Sequence, residues 1–350
     1  MTGVLKESSV IVADKKEGSQ LYNKGNFGYP LSGGGLELDL MEATFLVETG
    51  RMEVLCNEGT MTFESLFSYS SSASEGFDIR YMVYRDIRQR GFIVKPETGG
   101  LDLSVFPRGK TMNSARPQYL VRSVSERTAF TVDAFMDLAE TTRSKNRELL
   151  FAIVDEEGDM TYYLVSKRTL SGTEGTVNTG IKAEGKLIRD RVFVFSETSA
   201  GAIRANGAFG KTVGNVLQLS LIETCYLMKK GILSTVSSEK GKKMKLSDMI
   251  AFGRSAQDEF DMRLKAFSDM RDNGLVVKTG FKYGTHFRVY EKDPDTCHAQ
   301  FLVHAVEGPQ TIMWPEISRA VRLAHGVKKE ILFCRVKKDI EYLGFERFRP

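Results

Sequence analysis

The chain has 350 residues, too many for one ordinary core, so two to four domains are expected. Hydrophobic content of 41% and charged content of 27% are those of a soluble globular protein, and no apolar run reaches the roughly 18 residues of a membrane helix. Net charge is only +4, from 49 Lys/Arg against 45 Asp/Glu, but residues 281–350 hold 12 of one and 9 of the other, which favours an anionic partner at that end. The opening MTGVLKESSVIVADKKEG lacks a long apolar segment, so no secretory signal is expected. Four scattered cysteines without a CxxC pair indicate reduced thiols and a cytoplasmic location.

From the N-terminus, a short β-rich opening leads to Phe27-Gly28 and an amphipathic helix over Leu36–Glu48, stopped by Gly50 as a C-cap. After a polar loop, a second helix is predicted over Phe77–Arg90, ended by Gly91. Alternating apolar strands follow in GFIVK, LDLSVF, QYLVRSV, ELLFAIV and MTYYLVS, with a helix over Val132–Glu140 between the third and fourth. The whole order then repeats. Phe209-Gly210 precedes a helix over Leu217–Lys229 and Gly231; a second helix covers Phe260–Asn273 before Gly274. The strands GLVVK, THFRVY, HAQFLVHAV, EILFCRV and IEYLGF follow, with a helix over Pro315–Ala324. FDIRYMVYRDIRQRGFIVK and FDMRLKAFSDMRDNGLVVK are identical at 8 of 19 positions without a gap. The fold class is mixed α/β, duplicated in tandem. Four small domains are expected, at 1–75, 76–168, 182–250 and 251–350, with a linker at 169–181. The basic run KGKKMK (Lys240–Lys245) is read as a solvated loop joining the last two.

All four histidines (His286, His298, His304, His325) fall in the last quarter. The duplication supplies an internal control there. Copy two has Tyr290, His298 and Lys329 where copy one has Phe106, Arg116 and Arg147, so one chemical site per chain is expected, in copy two. THFRVY and CHAQFLV flank the turn Asp293-Pro294-Asp295. A hairpin symmetric about Pro294 would set Tyr290 opposite His298. Lys329 follows a helix on which Arg319 and Arg322 share a face.

A phenol, an imidazole and an ammonium without a carboxylate cluster suit metal-free RNA cleavage. The ribose 2′-OH loses a proton as it attacks the phosphate, and the 5′-oxygen gains one as it leaves. His298 is the candidate acid, Tyr290 the candidate base. Lys329 is the candidate to lower the phenol's pKa and to stabilise the phosphorane. No cofactor or metal is called for: Cys297, His298 and His304 make no credible zinc spacing. His304 is read as structural or a minor RNA contact, and His286 and His325 as capping or packing residues.

The segments YGTHFRVY, CHAQFLVH and RLAHGVKK resemble the catalytic domain of the tRNA-splicing (tRNA-intron) endonucleases. The likeness covers both copies and is closest to the archaeal two-repeat homodimeric type. It implies a nuclease-like catalytic α/β domain behind a smaller N-terminal domain in each copy, with the first copy degenerate. It further implies cleavage of precursor tRNA at a bulge-helix-bulge by Tyr290, His298 and Lys329. Two arginines would pinch a bulged base; Arg322 matches one, and Arg347 stands where the other is expected. An acidic loop of the non-catalytic unit would enter a basic groove of a neighbouring unit, for which Asp155, Glu156, Glu157 and Asp159 are available, although a solvated turn explains them equally. The competing readings are a non-catalytic RNA-binding subunit and a metal-dependent nuclease.

Overall fold

The computed structural model describes residues 1–97, 99–173, 177–238 and 240–350; residues 174–176 of the expected linker lie outside the described residues. Each copy opens with a six-stranded sheet. In copy one the strand order is Tyr29–Pro30, Leu36–Asp39, Ser9–Val12, Thr2–Leu5, Glu53–Cys56, Gly59–Met61. Copy two repeats it as Lys211–Val213, Val216–Leu219, Arg191–Val194, Ala183–Ile188, Leu233–Ser237, Lys243–Met244.

The helices expected from Leu36 and Leu217 start later, at Leu40 and Leu221, and the residues before them are strands. In LELD the leucines are buried and the acids point outward, a period of two rather than 3.6. Asp39 and Ser220 then end the strand and begin the helix through capping boxes with Glu42 and Glu223. Two further helices per copy occupy stretches that read as opening or polar loop: Lys15–Gly25 and Phe63–Ala73, then Glu197–Ala205 and Leu246–Ala256. Asp14, Thr62 and Ser196 cap three of them. Part of KGKKMK is a strand rather than a solvated loop. Lys243–Met244 pairs with Leu233–Ser237 and completes the second small sheet, and the helix Leu246–Ala256 runs through the expected 250/251 division. The helices Phe77–Gln89 and Phe260–Asp272 are where the periodicity places them, and Gly91 and Gly274 follow at φ +87° and +78°.

The nuclease-like units fuse into one ten-stranded sheet. Its order is Val276–Thr279, Phe287–Tyr290, Phe301–Val306, Glu330–Val336, Ile340–Phe348, then Met160–Arg168, Glu148–Val154, Tyr119–Ser125, Leu103–Val105, Val94–Pro96. The second half is the first in reverse, so the copies meet about a pseudo-twofold axis. At the seam Ile340–Phe348 runs antiparallel to Met160–Arg168, from Tyr162 opposite Phe348 to Arg168 opposite Tyr342. The helices Val132–Ser144 and Trp314–Gly326 share one core with this seam. In it Phe135 meets Trp314 and Phe345 edge-on, at 5.5 and 5.2 Å between ring centroids.

One polar device ties each small domain to its nuclease-like unit. In copy one Glu42 accepts from the Gly28 N–H at 3.0 Å, while Lys95 donates to Glu42 at 2.5 Å and to the Gly28 carbonyl at 3.0 Å. Copy two repeats this with Glu223, Gly210 and Lys278, but its ion pair is longer, at 3.7 Å. Gly28 and Gly210 sit at φ +63° and +64°, and a Cβ there would strike the Glu37 or Gln218 carbonyl at 2.5 or 2.4 Å. Burial pulls the pKa of both lysines down. Because removing one partner of a buried pair strands the other charge, Lys95→Met is expected to cost about 3–5 kcal/mol of stability. Lys278→Met, at the looser and wetter pair, costs less. Denaturant unfolding of the two variants measures the difference.

Candidate active site

Three strand ends make the site. Phe287–Tyr290 is antiparallel to Phe301–Val306, which is parallel to Glu330–Val336. The end of the first strand and the starts of the other two therefore fall on one edge of the sheet, bringing Tyr290, His298 and Lys329 to that edge. Gln300 holds it together. Its N–H donates to the Val289 carbonyl at 3.1 Å, its side-chain oxygen accepts from the Glu291 N–H at 3.1 Å, and its carbonyl accepts from the Glu330 N–H at 2.9 Å. Gln118 makes the two backbone bonds in copy one, to the Val105 carbonyl and from the Glu148 N–H. The frame is thus common to both copies, and the signal was visible as the glutamine opening both QYLVRSV and QFLVHAV.

The hairpin is not symmetric about Pro294. Val289 pairs with Phe301, so Tyr290 lies level with Gln300, and His298 sits exposed in the loop before the strand. The loop is wider than a tight turn because it wraps Asp293, whose carbonyl accepts from the N–H groups of Thr296 and Cys297 at 3.0 and 3.1 Å. Cys297 and Ala299, on either side of His298, pack with Tyr290 and Val276.

Tyr290 is buried to 7% exposure, and burial pushes its phenol above the ordinary value. The cation that opposes this shift is Arg288, whose guanidinium carbon is 5.8 Å from the Tyr290 ring centroid. It was expected to be Lys329. That ammonium instead lies 5.7 Å from the Tyr283 ring centroid and donates to the Val327 carbonyl at 3.2 Å. Strand alternation puts Arg288 and Tyr290 on one face.

A cleft of about 590 Å³ opens beside Tyr290, between the small domain and the nuclease-like unit of copy two. Among its cations, Lys211, Arg263 and Arg288 have no ion-pair partner among the described residues. A second groove, about 420 Å³, is lined by Arg319 and Arg322 together with Asp155 and Asp159 of the first copy. Arg322 is exposed there, and Arg347 is exposed on the seam strand opposite Tyr163. The loop Asp155, Glu156, Glu157, Asp159 is an exposed turn in which the Asp155 carboxylate accepts from the Glu157 and Asp159 N–H groups; Glu156 pairs with Arg127. Among the described residues no group of three or more His, Cys, Asp or Glu side chains is placed to hold a metal ion.

His286 and His304 stack at 4.3 Å between centroids, and the Ala305 N–H donates to His286 Nδ1 at 3.1 Å. Copy one has the ion pair Asp102–Arg122 at these positions, 3.2 Å apart. Burial, then His304 and Arg263, hold the His286 pKa down to about 3, and burial lowers His304 as well.

Copy two thus carries a hydroxyl, an imidazole and an ammonium at one edge of its sheet. Residues 77–162 and 260–342 match the family described as tRNA intron endonuclease, catalytic C-terminal domain, and residues 1–67 and 183–250 match its N-terminal domain. The chain is similar to the tRNA-splicing endonuclease of Methanococcoides burtonii, 34% identical with 97% of each chain covered. It is also similar to those of Methanosarcina barkeri, 35% identical with 96% of this chain and 97% of the other covered, and Halobacterium salinarum, 32% identical with 95% of each covered. The chain belongs to the tRNA-intron endonuclease family, with its N-terminal and catalytic domains each present twice.

The histidine pair generates a pH dependence. Unfolded imidazoles bind protons near pH 6.5 while the folded pair resists them, so the unfolded state takes up more protons below that value. Stability is complete above about pH 6.5 and falls as the pH drops towards 3. Restoring the first copy's residues with His286→Asp and His304→Arg flattens this slope in thermal melts taken from pH 7.5 to 4.5.

Proposed function

We propose that this chain is a tRNA-splicing endonuclease that works as a cytoplasmic homodimer and cuts precursor tRNA at the two ends of an intron framed by a bulge-helix-bulge. In the reacting form Tyr290 is ionised and His298 protonated. Tyr290 takes the 2′-OH proton as that oxygen attacks phosphorus, and His298 protonates the departing 5′-oxygen. Lys329 stabilises the charge on the non-bridging oxygens. The products are a 2′,3′-cyclic phosphate and a 5′-hydroxyl. What supports this reading above all is the contrast between the copies: on the same glutamine-braced edge, the first has Phe106, Arg116 and Arg147. Arg322 and Arg347 hold a flipped-out base between guanidinium planes.

The expected outcome is double cleavage of an intron-containing precursor in excess EDTA, with cyclic phosphate ends. His298→Ala lowers the rate by roughly 10²–10⁴-fold while leaving binding in a gel shift nearly intact. Cleavage that stops in EDTA would point to a metal nuclease, and a shift without cutting to a binding subunit.

In the homodimer, the acidic loop of one protomer enters the basic cleft of the other, where Lys211, Arg263 and Arg288 await counter-charge. The double variant Asp155→Lys, Glu157→Lys is therefore expected to halve the native mass and abolish cutting. An unchanged mass would remove the loop from the contact.

A further inference from the structure

We propose that the turn Phe281–Tyr283 is a stacking platform for an unpaired base of the RNA, one strand length from the linkage that is cut; the proposal rests on the RNA-cleavage reading above. Phe281 is 86% exposed, far more than any other large hydrophobic side chain among the described residues. A single exposed ring is ordinary on a protein surface. This one is held out on a braced support. The Phe281 N–H donates to Thr279 Oγ1 at 3.3 Å, the Tyr283 N–H to the Gly280 carbonyl at 2.8 Å, and the Gly280 N–H to the His286 carbonyl at 3.1 Å. A Cβ at Gly280 would lie 2.3 Å from Thr285 Oγ1 and 2.7 Å from the Thr285 carbonyl, so the turn closes tightly on itself.

The platform reaches the site through Tyr283, while Phe281 stands at the Phe287 end of the strand, away from Tyr290. Tyr283 packs against the seam core, carries the Lys329 ammonium over its ring, and lies near enough to the Tyr290 phenol to influence it. Lys282, exposed between the two aromatics, offers a cation to a phosphate. The matching connection in copy one reads PETGGL and holds no aromatic residue, so the aromatic turn accompanies Tyr290, His298 and Lys329 and is missing where they are missing. Every base presents a π-face, so such a ring receives an unstacked nucleotide without regard to its identity.

The test uses the full-length protein and a bulge-helix-bulge RNA with a 2′-deoxy nucleotide at the cleaved linkage, which binds without being cut. 2-Aminopurine replaces each unpaired bulge base in turn, one per RNA. Binding by the unaltered protein is expected to quench its fluorescence. Phe281→Leu loses the quench and binds about ten-fold more weakly, whereas Phe281→Trp keeps both. A quench and affinity unchanged in Phe281→Leu would overturn the platform. So would a change in native mass with the quench retained, which would make Phe281 a protein contact. If the unaltered protein leaves the all-ribose RNA uncut, the cleavage reading itself falls, and the platform with it.

Discussion

The antiparallel pairing of Met160–Arg168 with Ile340–Phe348 is the constraint on which the molecule depends. Each nuclease-like unit alone would end in a nine-residue strand with a full row of unpaired backbone groups on one side. Joined, the two strands satisfy one another and place Val132–Ser144 and Trp314–Gly326 over a single core. The first copy, with Phe106, Arg116 and Arg147 at the matching positions, completes the sheet of the second.

The two small domains are tied on by the same trio of glutamate, glycine and lysine, but not equally tightly. Around Glu42 the pair is closed and dry, with side chains 0% and 3% exposed; around Glu223 it is longer and wetter. The looser one borders the basic cleft beside Tyr290, where Lys278 is also a lining residue. A fully closed pair leaves no free charge for an anion, whereas a half-open one leaves its lysine able to respond.

Much of this was legible in the amino-acid order, because the duplication shows itself wherever both copies keep the same physical need. Gly91 and Gly274 end equivalent helices, and the alternating strands around QYLVRSV and QFLVHAV carry their register in the hydrophobic pattern. The strand ends next to Tyr290, His298 and Lys329 fall on one edge of the sheet, as the strand directions require. What escaped notice depended on short-range capping and on loop width. The helix Phe63–Ala73 hides in a serine-rich stretch whose start is marked only by Thr62. Asp293 gathers the following loop around its own carbonyl, which shifts the pairing so that Gln300, not His298, lies level with Tyr290.

The outer margins of the fused sheet are formed by Val94–Pro96 and Val276–Thr279, three and four residues long, and the first closes on a proline. Such stubs offer few free donors and acceptors, and proline none of its own N–H. A long barrel-less sheet of this width would otherwise be a template for end-to-end fibre growth. Here both margins are short, which disfavours the addition of further strands at either side of the sheet.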